Sequence, residues 1–439
     1  MSCSKVRVLL IVFTLLSACG AAVAEDASPD LPTDRPLSLQ ECIEYALQWH
    51  SSVLSAERDL VGSTAEVTRA HAGYMPRISV GSQYTSSGIT GGVTANGYTY
   101  ARDTGYSGTE STIGVSETMF DGGRTLTAIR QASASRRAVS ADLELARQQR
   151  VLEVTTAYFN ALRTKRLADI AAQTVAESEE QRKLIQARID EGDAAPIDIY
   201  PVDVQLANAR LNKLQAENNA RVAGSALRNT IGLDRGPELR LIDVQGPSDE
   251  TQSLDECLTR ALSDRPEIVR SVAQVDSSRA GVSLAKLQAL PVLTANAGYD
   301  RGLGGIGYDS QWSVGVGLTM SIFDGGATAA GITSAKAKLD SLVLRDGQVR
   351  KDIATEIEEA YLNLTSAFER LAASKPNVDL ARKNLEVARE KYRQGLGIPL
   401  EIVTAQVSYA DAQASHAQAL YDCYVARAQL DKATGKRGY

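Results

Sequence analysis

Residues able to do chemistry are sparse in this chain, and they do not assemble a reaction centre. The three histidines, His50, His71 and His416, are scattered. No Gly-x-Ser-x-Gly elbow, His-Glu-x-x-His metal pair or Gly-x-x-x-x-Gly-Lys phosphate loop occurs. Five cysteines are present without a Cys-x-x-Cys, so thiol redox chemistry, a structural metal and a cofactor are not expected. Cys42, Cys257 and Cys423 read as small buried apolar thiols, with a Cys42–Cys257 disulfide as the alternative in an oxidising compartment. A net charge of −6 supplies no basic footprint for nucleic acid. The chemistry that remains is electrostatic. Asp198 and Glu401 each follow a segment running from glycine to proline, and each opens a helical run. A carboxylate there complements the positive end of the helix dipole.

Asp198 and Glu401 are 401 − 198 = 203 residues apart, and that offset is general. It carries Phe120-Asp121-Gly122-Gly123 onto Phe323-Asp324-Gly325-Gly326, Tyr158 onto Tyr361, Gly192 onto Gly395 and Pro196 onto Pro399. Nearer the N-terminus an offset of 215 carries Leu39-Gln40-Glu41-Cys42 onto Leu254-Asp255-Glu256-Cys257 and Pro76 onto Pro291. The chain is a tandem duplication. Residues 37–234 form the first copy, 235–253 a connector and 254–436 the second copy. The first copy holds 215 − 203 = 12 extra residues between its proline and its Phe-Asp-Gly-Gly.

Each copy positions its carboxylate through the same series of elements. Residues 39–72 predict a helix, with Leu39, Ile43, Ala46 and Leu47 on one stripe. Strands are expected at about 77–87 and 109–120, and again at about 292–301 and 311–323. Ile78, Val80 and Tyr84 share one face opposite Ser79, Gly81 and Gln83, and Trp312, Val314, Val316 and Leu318 repeat the pattern. Such alternation over ~10 residues, apolar outward and small or polar inward, fits a transmembrane β-strand. Residues 86–108, rich in Gly, Ser, Thr, Asn and Tyr, read as a long exposed loop. Phe-Asp-Gly-Gly then stops the strand and starts a helix: the glycines accept positive φ, and the aspartate caps.

Helical hairpins follow at about 124–231 and 327–434. Ile353, Ile357, Ala360, Leu364, Ala367 and Leu371 form a heptad seam of the coiled-coil kind. The outgoing runs, 125–190 and 328–393, would each reach ~100 Å at the helical rise. Gly192 and Gly395 end them, and Pro196 and Pro399 suit the first turns of the returning helices.

Residues 1–24 read as a secretory leader, since Lys5 and Arg7 precede a short apolar run. Leu16-Ser17-Ala18-Cys19 fits a lipobox, which would leave Cys19 lipidated; cleavage after Ala24 is the alternative. Residues 25–36, with three prolines, read as a linker. No later stretch approaches the ~20 apolar residues of a transmembrane helix, so a membrane would be entered by strands. Four strands cannot close a barrel, and lipid tolerates no open sheet edge. Small closed barrels need ~8 strands. Copies must therefore pool strands in fours, and three copies would surround a lumen too wide for side chains to fill. A surface coiled-coil protein would share the heptads but leave the paired strands unexplained. An extracytoplasmic enzyme or binding protein would need convergent titratable groups.

Over about residues 37–436 the sequence resembles the TolC-type outer-membrane efflux channels. The resemblance is carried by the duplication, both Phe-Asp-Gly-Gly exits, Ala157-Tyr158-Phe159-Asn160 with its mate Ala360-Tyr361-Leu362-Asn363, and the two glycine tips. It implies a mainly α fold with a transmembrane β part. The duplicated unit would give long coiled-coil hairpins and four strands per chain. A homotrimer would then form a 12-stranded outer-membrane barrel continued by a periplasmic α-helical tunnel. The resemblance also implies a passive exit duct for drugs, toxic compounds or secreted proteins. Its partners would be outer-membrane lipid, a periplasmic adaptor and an inner-membrane pump, with the adaptor meeting Gly192, Gly395 and Leu396.

By the same resemblance, Asp198 and Tyr392 match positions whose bond links neighbouring helices in the closed state. Glu401 matches an acidic residue at the constriction. This chain departs from the pattern at Gly397, where an arginine is often found, and at Thr404, a second acidic position. The first tip, Glu191-Gly192-Asp193, is acidic where apolar residues commonly flank the glycine.

Overall fold

The computed structural model describes residues 35–95, 98–234, 236–244, 246, 253–304 and 309–436. The leader, with Cys19, and nearly all of the 25–36 linker lie outside the described residues. In chain order the described elements are α1 (Leu39–Trp49), α2 (Ser51–His71), β1 (Arg77–Ala95), β2 (Tyr98–Phe120), α3 (Arg124–Asp190), α4 (Ile199–Ile231), α5 (Leu254–Asp264), α6 (Pro266–Leu287), β3 (Val292–Gly304), β4 (Gln311–Thr319), α7 (Ala327–Arg393) and α8 (Pro399–Ala433). The duplication is plain in this order, and α3 and α7 have the same length, 67 residues.

Two helices stand where 39–72 was expected to be one. His50 leaves the helix with φ −73° and ψ 131°, and its Nδ1 accepts the Ser52 amide at 3.2 Å. The second copy breaks at the matching place. Arg265 takes φ −69° and ψ 129° ahead of Pro266, which cannot follow a helical residue easily. Both α1 and α5 begin with reciprocal capping boxes, Ser38 with Glu41 and Ser253 with Glu256.

The four strands form one antiparallel sheet in the order β1-β2-β3-β4. Its register puts Ile78 opposite Val115, Val80 opposite Ile113, Tyr299 opposite Trp312 and Ala297 opposite Val314. One face is thus a band of apolar side chains, and Ser79, Gly114, Gly298 and Ser313 lie on the other. The expected loop at 86–108 is instead strand at 86–95 and 98–108, and its residues 96–97 lie outside the described residues. Pairing continues from Thr85 opposite Gly108 to Ala95 opposite Tyr98. Its wealth of Gly, Ser and Thr is a loop composition, but the backbone ladder needs no strong strand former to persist. β4, expected to reach 323, ends at Thr319. Val292 opposite Thr319 is its last pair, because Pro291 precedes Val292 and offers no strand amide.

Along the helices, neighbours follow the strand order. Toward the sheet α2 packs on α3, α3 on α6 and α6 on α7; toward the tips α4 packs on α3, α3 on α8 and α8 on α7. Between the two ends lies a belt with two apolar cores. One gathers Cys42, Val154, Tyr158, Phe159 and Leu227, and the other gathers Cys257, Cys423 and the heptad residues Ile353, Ile357, Ala360, Leu364 and Ala367. Cys42 and Cys257 sit in separate cores as free thiols, so the disulfide alternative is excluded. Burial pushes the Cys42 thiol up to about 12, as an inert structural cysteine requires. Tyr158 Oη lies 2.7 Å from the Ile242 carbonyl and 3.0 Å from that of Leu37, fastening the connector where Leu37 bridges Leu241.

Candidate gate at the helical tips

Two kinds of junction direct the long helices: the turns beside the sheet and the tips at the far end. In the turn after β2, the Asp121 carboxylate accepts Gly123 N at 2.7 Å and Thr125 N at 2.6 Å. Asp324 repeats this with Gly326 N at 3.0 Å and Thr328 N at 2.8 Å. Gly123 and Gly326 take φ near 90°, the left-handed backbone expected of them. Burial opposes the Asp121 anion, but bonds from Thr125, Gly123 and Arg124 outweigh it and hold the carboxyl below its usual range. Asp324 is held low as well, by its bonds to Thr328 first.

At the tips, Gly192 at φ 83° and Gly395 at φ 76° let the chain turn back. Asp193 N reaches the Arg188 carbonyl at 2.8 Å, and Leu396 N reaches that of Lys391 at 2.9 Å. These six-to-one bonds close each helix in the same way. Pro196 opens a 3-10 turn through Asp198, and Pro399 starts α8 directly. An apolar cluster of Ile185, Val202, Leu385, Tyr392 and Ile402 joins the hairpins behind the glycines.

The structure brings Asp198 and Tyr392 into one neighbourhood but forms no bond between them. Tyr392 is 4 % exposed, and its buried hydroxyl has no hydrogen-bond partner. Burial raises its pKa, with Arg188 opposing and Asp198 adding to the rise. Arg188, which sequence reasoning passed over, holds Tyr392 instead. Its Nη1 donates to the Tyr392 carbonyl at 2.5 Å, and its guanidinium lies 4.9 Å from the ring centroid. The two residues are 204 apart in sequence, so no local pattern announces the pair.

Glu401 and Thr404 line one shallow groove with Lys391, Ile398 and Leu400, of about 410 Å³. Thr404 Oγ1 donates to the Leu400 carbonyl of its own helix at 2.9 Å. A Cβ on Gly397 would lie 3.2 Å from Tyr392 N and 3.4 Å from Glu401 Oε2, so this position has little room for a side chain. Gly192 and Leu396 are exposed at the extremities of the two hairpins.

No group of His, Cys, Asp and Glu among the described residues could hold a metal ion. Among the described residues no helix is long and apolar enough to cross a membrane. The sequence model of the outer membrane efflux protein family matches residues 42–233 and 257–436, the two copies found above. The outer membrane efflux protein BepC of Brucella suis is 25 % identical over 334 residues, covering 75 % of this chain and 73 % of BepC. The outer membrane protein TolC of Vibrio cholerae is 23 % identical over 316 residues, covering 69 % and 72 %. A crystal structure of CusC, from work on folding and transmembrane channel formation, superposes with a TM-score of 0.78 at 16 % identity, covering 91 % of this chain and 92 % of CusC. The chain belongs to the outer membrane efflux protein family, whose members are channels: it is an outer-membrane exit duct of a Gram-negative bacterium, extending into the periplasm.

Proposed function

We propose that three copies of this chain close one twelve-stranded barrel and continue it as a helical tunnel through the periplasm. The observation that carries this reading is a four-stranded sheet with two open edges and an exposed apolar face. A single copy cannot place such a sheet in lipid, because the edge amides and carbonyls of β1 and β4 would lack partners. Pairing β4 of one copy with β1 of the next satisfies both edges. The helices favour the same assembly. On α4, Val204, Leu211, Leu214 and Val222 form an exposed apolar stripe at near-heptad spacing, and α7 leaves Leu380 and Val387 bare.

The tips form the periplasmic entrance of this duct. Gly192, Gly395 and Leu396 meet a periplasmic adaptor, which couples the duct to an inner-membrane pump. Specificity for drugs, toxic compounds or secreted proteins belongs to that pump. Three Glu401 side chains charge the entrance, and Asp198 with Tyr392 takes part in closing it. The buried, unpaired Tyr392 hydroxyl supports this last role, since a bond to Asp198 would relieve its desolvation.

The test is single-channel conductance of the purified protein in planar bilayers, alongside its mass in detergent. A trimer with small cation-selective conductance, shifted toward anions by Glu401→Gln, is expected. A monomer, or a trimer that conducts nothing, would sink the proposal.

A further inference from the structure

Arg188 lies in the last turn of α3, and Tyr392 in the last turn of α7. The C-terminal ends of two 67-residue helices therefore approach each other at the tip. Capping amides satisfy several of the last carbonyls, yet each end keeps the negative pole of its dipole, so a cation between the two ends is favourable. The Arg188 guanidinium stands there. It donates to the Tyr392 carbonyl at 2.5 Å, stacks on the Tyr392 ring at 4.9 Å and comes within 3.9 Å of where a Cβ on Gly395 would sit. The tyrosine hydroxyl adds no polar tie, because it is buried without a partner. Farther from the tip, Arg389 pairs with Glu177 at 2.9 Å, and buried Gln406 bonds Ser178 at 3.1 Å. Those ties and the apolar cluster of Ile185, Val202, Leu385 and Ile402 hold the hairpins behind the tip, and Arg188 supplies a polar tie at the outermost turn.

We infer that Arg188 is the latch of the entrance: it holds the two hairpin tips of one copy together, and its release lets them part. This rests on the proposal that the tips are the gated mouth of the channel. Arg188 is a positioning residue. It acts by neutralising two helix ends and gripping a ring and a carbonyl, a combination that suits a planar guanidinium better than an ammonium.

The experiment compares wild type, Arg188→Met and Arg188→Lys as full-length protein in planar bilayers, with the thermal stability of each trimer measured in parallel. Arg188→Met should raise the open-to-closed ratio about tenfold, about 1.4 kcal/mol, at unchanged trimer stability. Arg188→Lys should fall between, because it keeps the charge and loses the fork and the stacking. A folded Arg188→Met trimer that gates like wild type would overturn the latch. If Arg188→Met does not assemble, Arg188→Gln is read by the same criterion. Absence of conductance from every trimer, wild type included, would overturn the channel reading itself rather than the latch.

Discussion

The sheet-side halves of α3 and α7 descend from one ancestral segment, yet they live in different surroundings. α3 is flanked there by α2 and α6, whereas among the described residues α7 is flanked by α6 on one side. Ala134, Ala138 and Ala141 are buried in α3, and the first buried residue of α7 is Ile353. The contrast is sharpest at Ala141, 5 % exposed, whose mate under the 203 offset is Leu344, 76 % exposed. An alanine lets neighbouring helices close in, and a bare leucine on a long helix lacks a neighbour. By the logic of the repeat α6 is the mate of α2, so α7 lacks what α3 receives from α6. In the proposed trimer that place is filled by α2 of the next copy.

Substitutions at this pair should separate folding from assembly. Ala141→Asp buries an unpaired carboxylate between helices of one chain and should cost about 3 kcal/mol or more in urea unfolding. Leu344→Asp should leave helix content intact by circular dichroism and abolish the SDS-resistant trimer. If both substitutions merely weaken the trimer, the contrast between the halves has no energetic meaning.

A second comparison concerns the helix breaks at His50 and Arg265, which share a backbone and differ in chemistry. Arg265 is 2 % exposed at its side chain and pairs with Glu267 at 2.7 Å and Glu356 at 2.6 Å. Arg265→Ala strands Glu267, while Glu356 is half open to water, so the loss should be about 3 kcal/mol, the low end for a broken buried pair. His50→Ala removes one capping acceptor and should cost about 1 kcal/mol.

The two breaks should also respond differently to acid. Burial first, and then Arg150, lowers the His50 pKa below its ordinary value. The unfolded chain thus binds a proton more readily than the folded one, and stability rises with pH between the two values. The contribution of His50 is complete above ~6.5 and fades as pH falls from there toward the folded value. His50→Asn keeps a cap that does not titrate. Its melting temperature should gain on wild type from pH 7 to pH 5, by a small margin. Arg265 stays cationic throughout that range, its partners raising its pKa against the effect of burial.

Much of this architecture was legible because it is written in periods. The heptad seam at Ile353–Leu371 and the alternation at Trp312–Leu318 recur at intervals set by helix and strand geometry. The capping aspartates were legible because their partners lie only two to four residues away. The pairing from Thr85 opposite Gly108 to Ala95 opposite Tyr98 was not, because a stretch so rich in Gly, Ser and Thr has the composition of a loop. The break at His50 carries neither glycine nor proline, although Pro266 marks its counterpart. At the candidate gate, the glycines and Asp198 could be placed by repeat logic. Arg188 could not, since its role depends on two helix ends meeting after some 100 Å of coiled packing. The Asp198–Tyr392 bond was expected from the resemblance alone; here the tyrosine is held through its ring and carbonyl instead.

The twelve additional residues of the first copy have a consequence at the opposite end of the molecule. β1 runs for 19 residues and β2 for 23, against 13 for β3 and 9 for β4. The first hairpin therefore outreaches the second by six residues on its shorter comparison, β1 over β3, or about 20 Å along the strand. In a trimer the outer rim would be crenellated, with three tall ribbons alternating with three low sills. Whatever arrives from outside would touch the ribbons first, and whatever leaves could spill sideways over the sills.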